Sequence, residues 1–182
     1  MMKRLKQPTT IYVDMDGVIA DFFSELARTH GVSHWKELPD RESSITALQG
    51  TDFFARLPKF ETSDALIEFV DILTEGTWNI LSSPLRGDHK NSAFWKKVWL
   101  KDNSYEPNEA IFTGRKESYA TNVDGSPNIL IDDKPSNIER WVNKGGIGIM
   151  YQANESDFES LKEEIHQAYF TKVPADERKV VV

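Results

Sequence analysis

A chain of 182 residues with 39% hydrophobic content, five Trp and ten Phe has the apolar mass for one well-buried core plus an insertion or small lid, which excludes a disordered chain. Its 22 basic residues against 29 acidic ones give a net charge of −7, which argues against wrapping long nucleic acid but leaves a small phosphate ester open as a partner. With no Cys, disulfides and thiolate metal sites are excluded, so metal chemistry must use oxygen ligands or His.

The absence of Cys fits a reducing cytoplasm. The opening MMKRLKQPTT is basic with no apolar stretch behind it, unlike a signal peptide, and no run reaches membrane-spanning length. The expectation is a cytoplasmic protein without a membrane partner. In chain order, Ile11, Tyr12 and Val13 form the first short strand, and Asp14 stands where it ends, followed by Asp16 and Gly17. In open α/β sheets that edge binds ligands, and a turn at glycine exposes successive N–H groups to an anion. Two neighbouring acids repel each other unless a divalent cation joins them.

From Phe22 to about Leu57 the pattern is helical or irregular, with turn signals at Gly31, Pro39 and Gly50, longer than a crossover requires. This insertion is expected to stand over the carboxyl edge as a lid. Its aromatics Phe22, Phe23, Trp35, Phe53 and Phe54 form either its own small core or a platform for a planar ligand, with Phe22, Phe53 and Phe54 the candidate pocket. A helix over Thr62–Leu73 carries Leu66, Phe69 and Leu73 on one face. The strand Thr77–Leu81 ends in Ser82 and Ser83, and the helix Asp88–Leu100 presents Phe94, Trp95, Val98 and Trp99, read as core. Strands follow at Ala110–Phe112, Asn128–Ile131 (ending in Asp132 and Asp133) and Ile147–Tyr151. Pro135 opens a helix that Gly145 closes, and Ser156 with Glu159 forms a capping box for the last helix, whose buried face is Phe158, Leu161, Ile165 and Tyr169.

Alternating strands and helices imply an α/β fold: a Rossmann-like three-layer α/β/α parallel sheet, with a small helical cap after the first strand. The division expected is core 1–21 and 75–182, cap 22–74. His30 and His34 are four apart, but Gly31 between them and the lack of a third soft ligand argue against zinc. The tail, Lys172–Val182, mixes charge with a terminal VVV that either frays or adds to a partner's sheet, and a homodimer is one expectation.

Four segments in order resemble the haloacid dehalogenase (HAD) superfamily of phosphohydrolases. Asp14, Asp16 and Gly17 look like its first motif, Ser82 the second, Lys116 the third, and Asp132 with Asp133 the fourth. Within it, DMDGVIADF, FFARLP at Phe53 to Pro58, ILSSP and ILIDDKP are most similar to the 5′(3′)-deoxyribonucleotidases. The resemblance implies a Mg²⁺-dependent phosphatase acting on nucleoside monophosphates, with the deoxy forms favoured. Asp14 is then the nucleophile and Asp16 the general acid and base. Mg²⁺ falls to Asp14, the backbone carbonyl of Asp16, and a carboxylate of Asp132 or Asp133. The phosphate falls to Ser82, the Ser83 amide and Lys116, with Arg115 the alternative because the stretch from Lys116 to Asp132 is long for that group; Lys134 is assigned to structure. Two alternatives stay open: the same site acting on another small phosphate ester or a polynucleotide phosphate end, and a non-enzymatic phospho-receiver module. The late position of the adjacent acid pair disfavours the receiver.

Overall fold

Five short apolar runs form the centre of the molecule: β1 (Ile11–Val13), β2 (Asn79–Ser82), β3 (Glu109–Phe112), β4 (Ile129–Asp132) and β5 (Ile147–Met150). The computed structural model describes residues 9–170; the basic opening through Pro8 and the tail, with its expected edge pairing, lie outside the described residues. All neighbouring strands pair parallel in the order β3-β2-β1-β4-β5. The three inner strands are buried along their whole length, as a parallel sheet covered on both faces requires, while β3 and β5 are partly exposed edges.

The pleat sorts side chains between two cores. Ile11, Val13, Ile80, Ile129 and Ile131 face a large cluster that takes Leu66 and Val70 from α3 (Ser63–Thr74), Trp99 and Leu100 from α4 (His89–Asp102), and Leu161 and Ile165 from α6 (Phe158–Phe170). Tyr12, Leu81 and Leu130 point the other way and pack on Ile138 and Trp141 of α5 (Pro135–Asn143). The result is the three-layer, Rossmann-like α/β/α fold expected from the alternation of elements.

Two local expectations are corrected. The last helix is capped by Asp157, whose carboxylate accepts from the Ser160 N–H at 2.8 Å, while the Ser156 hydroxyl accepts from the Gln152 N–H; the carboxylate sits at the closer N-cap position. On α4 the buried stripe is Ser92, Lys96, Trp99 and Leu100, and Phe94 is 56% exposed, so the inward face is rotated from the aromatic one. Trp99 is core as expected, its indole N–H donating to the Leu57 carbonyl at 2.7 Å, whereas Trp95 is half-buried.

Between β1 and α3 the chain makes one excursion: α1 (Phe22–Thr29), a 3₁₀ turn at Trp35–Glu37, α2 (Arg41–Thr46) and a second 3₁₀ turn at Phe53–Arg56. Its stem closes where it opens, since Ala20 bridges Lys59 and the Asp21 N–H donates to the Pro58 carbonyl at 2.8 Å. Across from the stem it is tied to α4, with Gly50 N–H on Asp88 Oδ2 at 2.9 Å and the Asn91 amide on the Thr51 carbonyl at 3.0 Å. Leu26, Leu38, Leu48, Phe53 and Leu57 of the excursion join the large core cluster. No helix among the described residues is long and apolar enough to cross a membrane.

Candidate active site

The strand order reverses at β1, which has β2 on one side and β4 on the other. At such a switch point the loops leaving neighbouring strands diverge and open a crevice beyond their carboxyl ends. Asp14 follows β1, Ser82 ends β2 and Asp132 ends β4, so the topology brings together residues that are 50 or more positions apart. Lys116 reaches the same place from a 3₁₀ turn, Lys116–Tyr119, after β3.

Asp14 is 6% exposed and held from two sides: its Oδ1 accepts from the Met15 N–H at 2.8 Å, and its Oδ2 lies 2.9 Å from the Lys116 ammonium. The same ammonium is 2.6 Å from Asp132 Oδ2. Burial alone would lower the Lys116 pKa, but the flanking Asp14 and Asp132 charges outweigh it and raise it, so Lys116 stays charged. Arg115 is exposed; of the two basic neighbours, Lys116 is the one that meets Asp14.

Asp132 is saturated with donors. Besides Lys116 it accepts from the Asn137 amide at both oxygens, 3.1 and 3.0 Å, and from the Lys134 backbone N–H at 2.9 Å. The Lys134 side chain itself is exposed. Asp133 differs: no hydrogen bond among the described residues ends on its carboxylate, and burial, reinforced by the charges of Asp14, Asp132 and Asp16, pushes its pKa up to about 8. Burial and Asp14 likewise push Asp132 up to about 6, against the pull of Lys116. Gly17 makes the closeness possible, because its φ of +81° suits glycine and a Cβ there would collide with the Asp133 carboxylate.

Asp16 faces a cation that sequence reasoning missed. The ammonium of Lys96, fully buried on α4, donates to Asp16 Oδ2 at 2.7 Å, Ser82 Oγ at 2.9 Å and the Ser83 carbonyl at 3.0 Å. Because Ser82 Oγ accepts from Lys96, its own hydrogen is left for another acceptor. Ser83 is exposed. The Asp16 pKa is raised, chiefly by burial, which Lys96 opposes and Asp14 reinforces, and Asp16 Oδ1 is buried without a partner. Asn137, which braces Asp132, was also missed. For Lys96 the sequence held no signal that names its partners, and for Asn137 none beyond its place in the first turn of α5 after the acid pair.

The expected pocket aromatics are buried, with Phe22, Phe53 and Phe54 at 8%, 1% and 3% exposure, and they pack edge-on or stacked against one another. Phe54 touches the site through Lys96, whose ammonium lies 4.9 Å from its ring centroid. Phe23 and Trp35, 4.9 Å apart, are half-buried. His30 and His34 are exposed, and His34 Nδ1 accepts from the Lys36 N–H.

The acids fit a divalent cation on their own chemistry. Asp14, Asp132 and Asp133 each offer an oxygen within 4.8 Å of the others. Counting Asp16, four carboxylates meet two ammonium groups, a formal excess of two negative charges that the raised Asp133 pKa expresses. Hard oxygen donors of this kind suit Mg²⁺ or a similar ion.

Among solved structures the chain is similar to a HAD family enzyme of Bacteroides thetaiotaomicron in its magnesium complex, at 12% identity and a TM-score of 0.52, covering 86% of this chain and 98% of that one. The chain shares that enzyme's fold. Also similar are the same enzyme as an aspartate-to-alanine variant with magnesium and inorganic phosphate (12% identity, TM-score 0.47, 85% and 99% covered) and a predicted HAD-like family hydrolase from Porphyromonas gingivalis (15%, 0.45, 87% and 98%). No protein-family model matches the chain, and no curated protein does.

Proposed function

We propose that the protein is a Mg²⁺-dependent HAD phosphatase that hydrolyses nucleoside monophosphates, with the deoxy forms favoured. The observation that carries this reading is the Asp14 carboxylate on the switch-point loop, ion-paired to buried Lys116 at 2.9 Å beside the unpartnered Asp133. Asp14 attacks phosphorus and displaces the alkoxide, forming an aspartyl phosphate. Asp16 gives its proton to the leaving oxygen, then takes one from the water that attacks the aspartyl phosphate and releases inorganic phosphate. The Ser82 hydroxyl, the Ser83 amide and Lys116 hold the phosphoryl oxygens.

Asp14, the Asp16 backbone carbonyl and Asp133 would hold Mg²⁺, while Asp132 spends its oxygens on bracing Lys116 and Asn137. When bound, the ion shields Asp14 from the phosphate charge and orients the transferring group. The similar Bacteroides enzyme, crystallised with magnesium, supports this choice of ion. The excursion between β1 and α3 serves as the cap, without α3, whose Leu66 and Val70 pack on the sheet, and its half-exposed Phe23–Trp35 pair offers a base an aromatic contact of about 1–3 kcal/mol. The nucleotide assignment rests on the motif resemblance together with this aromatic insertion. It is tested by measuring phosphate release from ribo- and deoxyribonucleoside monophosphates and from sugar phosphates, with and without Mg²⁺. Mg²⁺-dependent release that favours nucleotides supports the reading, and no release from any ester overturns it.

A further inference from the structure

We propose that Lys96 is the positioning residue for Asp16, fixing which carboxylate oxygen carries the transferred proton. The inference rests on the phosphatase reading above and adds a residue to its machinery. An ammonium group has three donors and loses several kcal/mol of solvation when buried without partners. Lys96, 0% exposed, satisfies all three: Asp16 Oδ2 at 2.7 Å, Ser82 Oγ at 2.9 Å and the Ser83 carbonyl at 3.0 Å, with the Phe54 ring closing over it. The Asp16 oxygens are thereby made unequal. Oδ2 is committed to the ammonium, and Oδ1, buried with no hydrogen-bond partner, is the oxygen left to carry a proton.

The two buried lysines divide the site between them. Lys116 links β1 to β4 through Asp14 and Asp132, the nucleophile's side, and Lys96 links the β1 loop to the end of β2 through Asp16 and Ser82, the proton-transfer side. Because its contacts come from the β1 loop and the β2 end, with Phe54 of the excursion over it, Lys96 registers the acid against the phosphate-binding end of β2. Without the ammonium nothing else among the described residues hydrogen-bonds the Asp16 carboxylate, which is then free to rotate away from the leaving oxygen.

The test compares kcat/KM, which reports steps through departure of the leaving group, for an alkyl monophosphate and an aryl monophosphate with an acidic phenol. The alkyl ester needs a proton on its leaving oxygen and the aryl ester hardly does. Lys96→Met is expected to lower kcat/KM about 100-fold on the alkyl ester, in the range of general acid catalysis, and at least about tenfold less on the aryl ester. Equal losses on both esters, or no loss, would overturn the proposal, since a general loss of folding lowers both alike. A second comparison removes both charges and so spares the fold: Asp16→Asn with Lys96→Met should match Asp16→Asn alone on both esters, and a further drop of more than about fivefold would refute action through Asp16. Wild-type protein that releases no phosphate from either ester overturns the phosphatase reading itself, a different result from any of these.

Discussion

Asp133→Asn should make the metal-free protein more stable at pH 8. In the fold the Asp133 carboxyl is pushed up to about 8, from an ordinary 3.8, by burial and by the charges of Asp14, Asp132 and Asp16. A group whose folded pKa lies above its unfolded one contributes most below the unfolded pKa, and that contribution is lost as pH rises through the folded value. For Asp133 the window runs from about pH 4 to about pH 8, within which the unfolded chain ionises this carboxyl and the folded chain resists. One pKa unit corresponds to about 1.4 kcal/mol, so the whole shift amounts to about 5 kcal/mol at pH 8; discounted for the solvent that still reaches Asp133, about 2–3 kcal/mol is the working figure. In a chain of this length that is a rise in Tm of about 5–10 °C. The assay is thermal unfolding in chelator at pH 4 and pH 8, then at pH 8 with excess Mg²⁺. The gain should be near zero at pH 4 and full at pH 8, and Mg²⁺ should stabilise the wild type much more than the variant. A variant that melts at or below the wild type at pH 8 in chelator, or that gains as much from Mg²⁺, refutes the uncompensated-charge account.

Three further outcomes follow from the same geometry. Asp14→Asn should lower kcat by about 10³-fold or more and leave no acid-stable trapped phosphoenzyme in rapid-quench experiments; near-normal turnover would remove Asp14 as nucleophile. Lys116→Met leaves Asp14 and Asp132 facing each other without their shared cation and should cost about 3–5 kcal/mol in urea unfolding at pH 7; a loss under about 1 kcal/mol would mean that solvent screens the pair. Gly17→Ala places a Cβ against Asp133 at a backbone φ of +81°, costing about 1–3 kcal/mol and weakening the Mg²⁺-induced rise in Tm; an unchanged Mg²⁺ response in calorimetry would disconnect the loop from the metal site.

The sheet was legible because its inner strands are continuous apolar runs that end in residues of a different kind, Asp14 after β1, Ser82 in β2 and Asp132 in β4, so the period and the stop signal agree. Boundaries slipped where a side chain is buried without being in the ladder. Trp78 lies beside β2 with its indole N–H on Asp71 Oδ1, yet pairing begins at Asn79. Asp14, Asp132 and Asp133 were readable as one cluster because a parallel sheet forces the ends of its strands to one edge, whatever their separation in sequence.

Lys96 was not legible for the opposite reason. A lysine on an amphipathic helix between Trp95 and Trp99 reads as a solvated stem, and nothing local names an acceptor, since its partners stand 14 and 80 positions away. The fold, not the helix, decides that this position faces Asp16. The same reasoning accounts for the number of buried cations: at the point where β2 and β4 part on either side of β1, the acids converge because the strand ends do, and each arm of the crevice needs its own ammonium. At Asp133 the distant pull of Lys116 is outweighed, no donor among the described residues meets the carboxylate, and the oxygens of Asp14, Asp132 and Asp133 lie close enough together to share a metal ion.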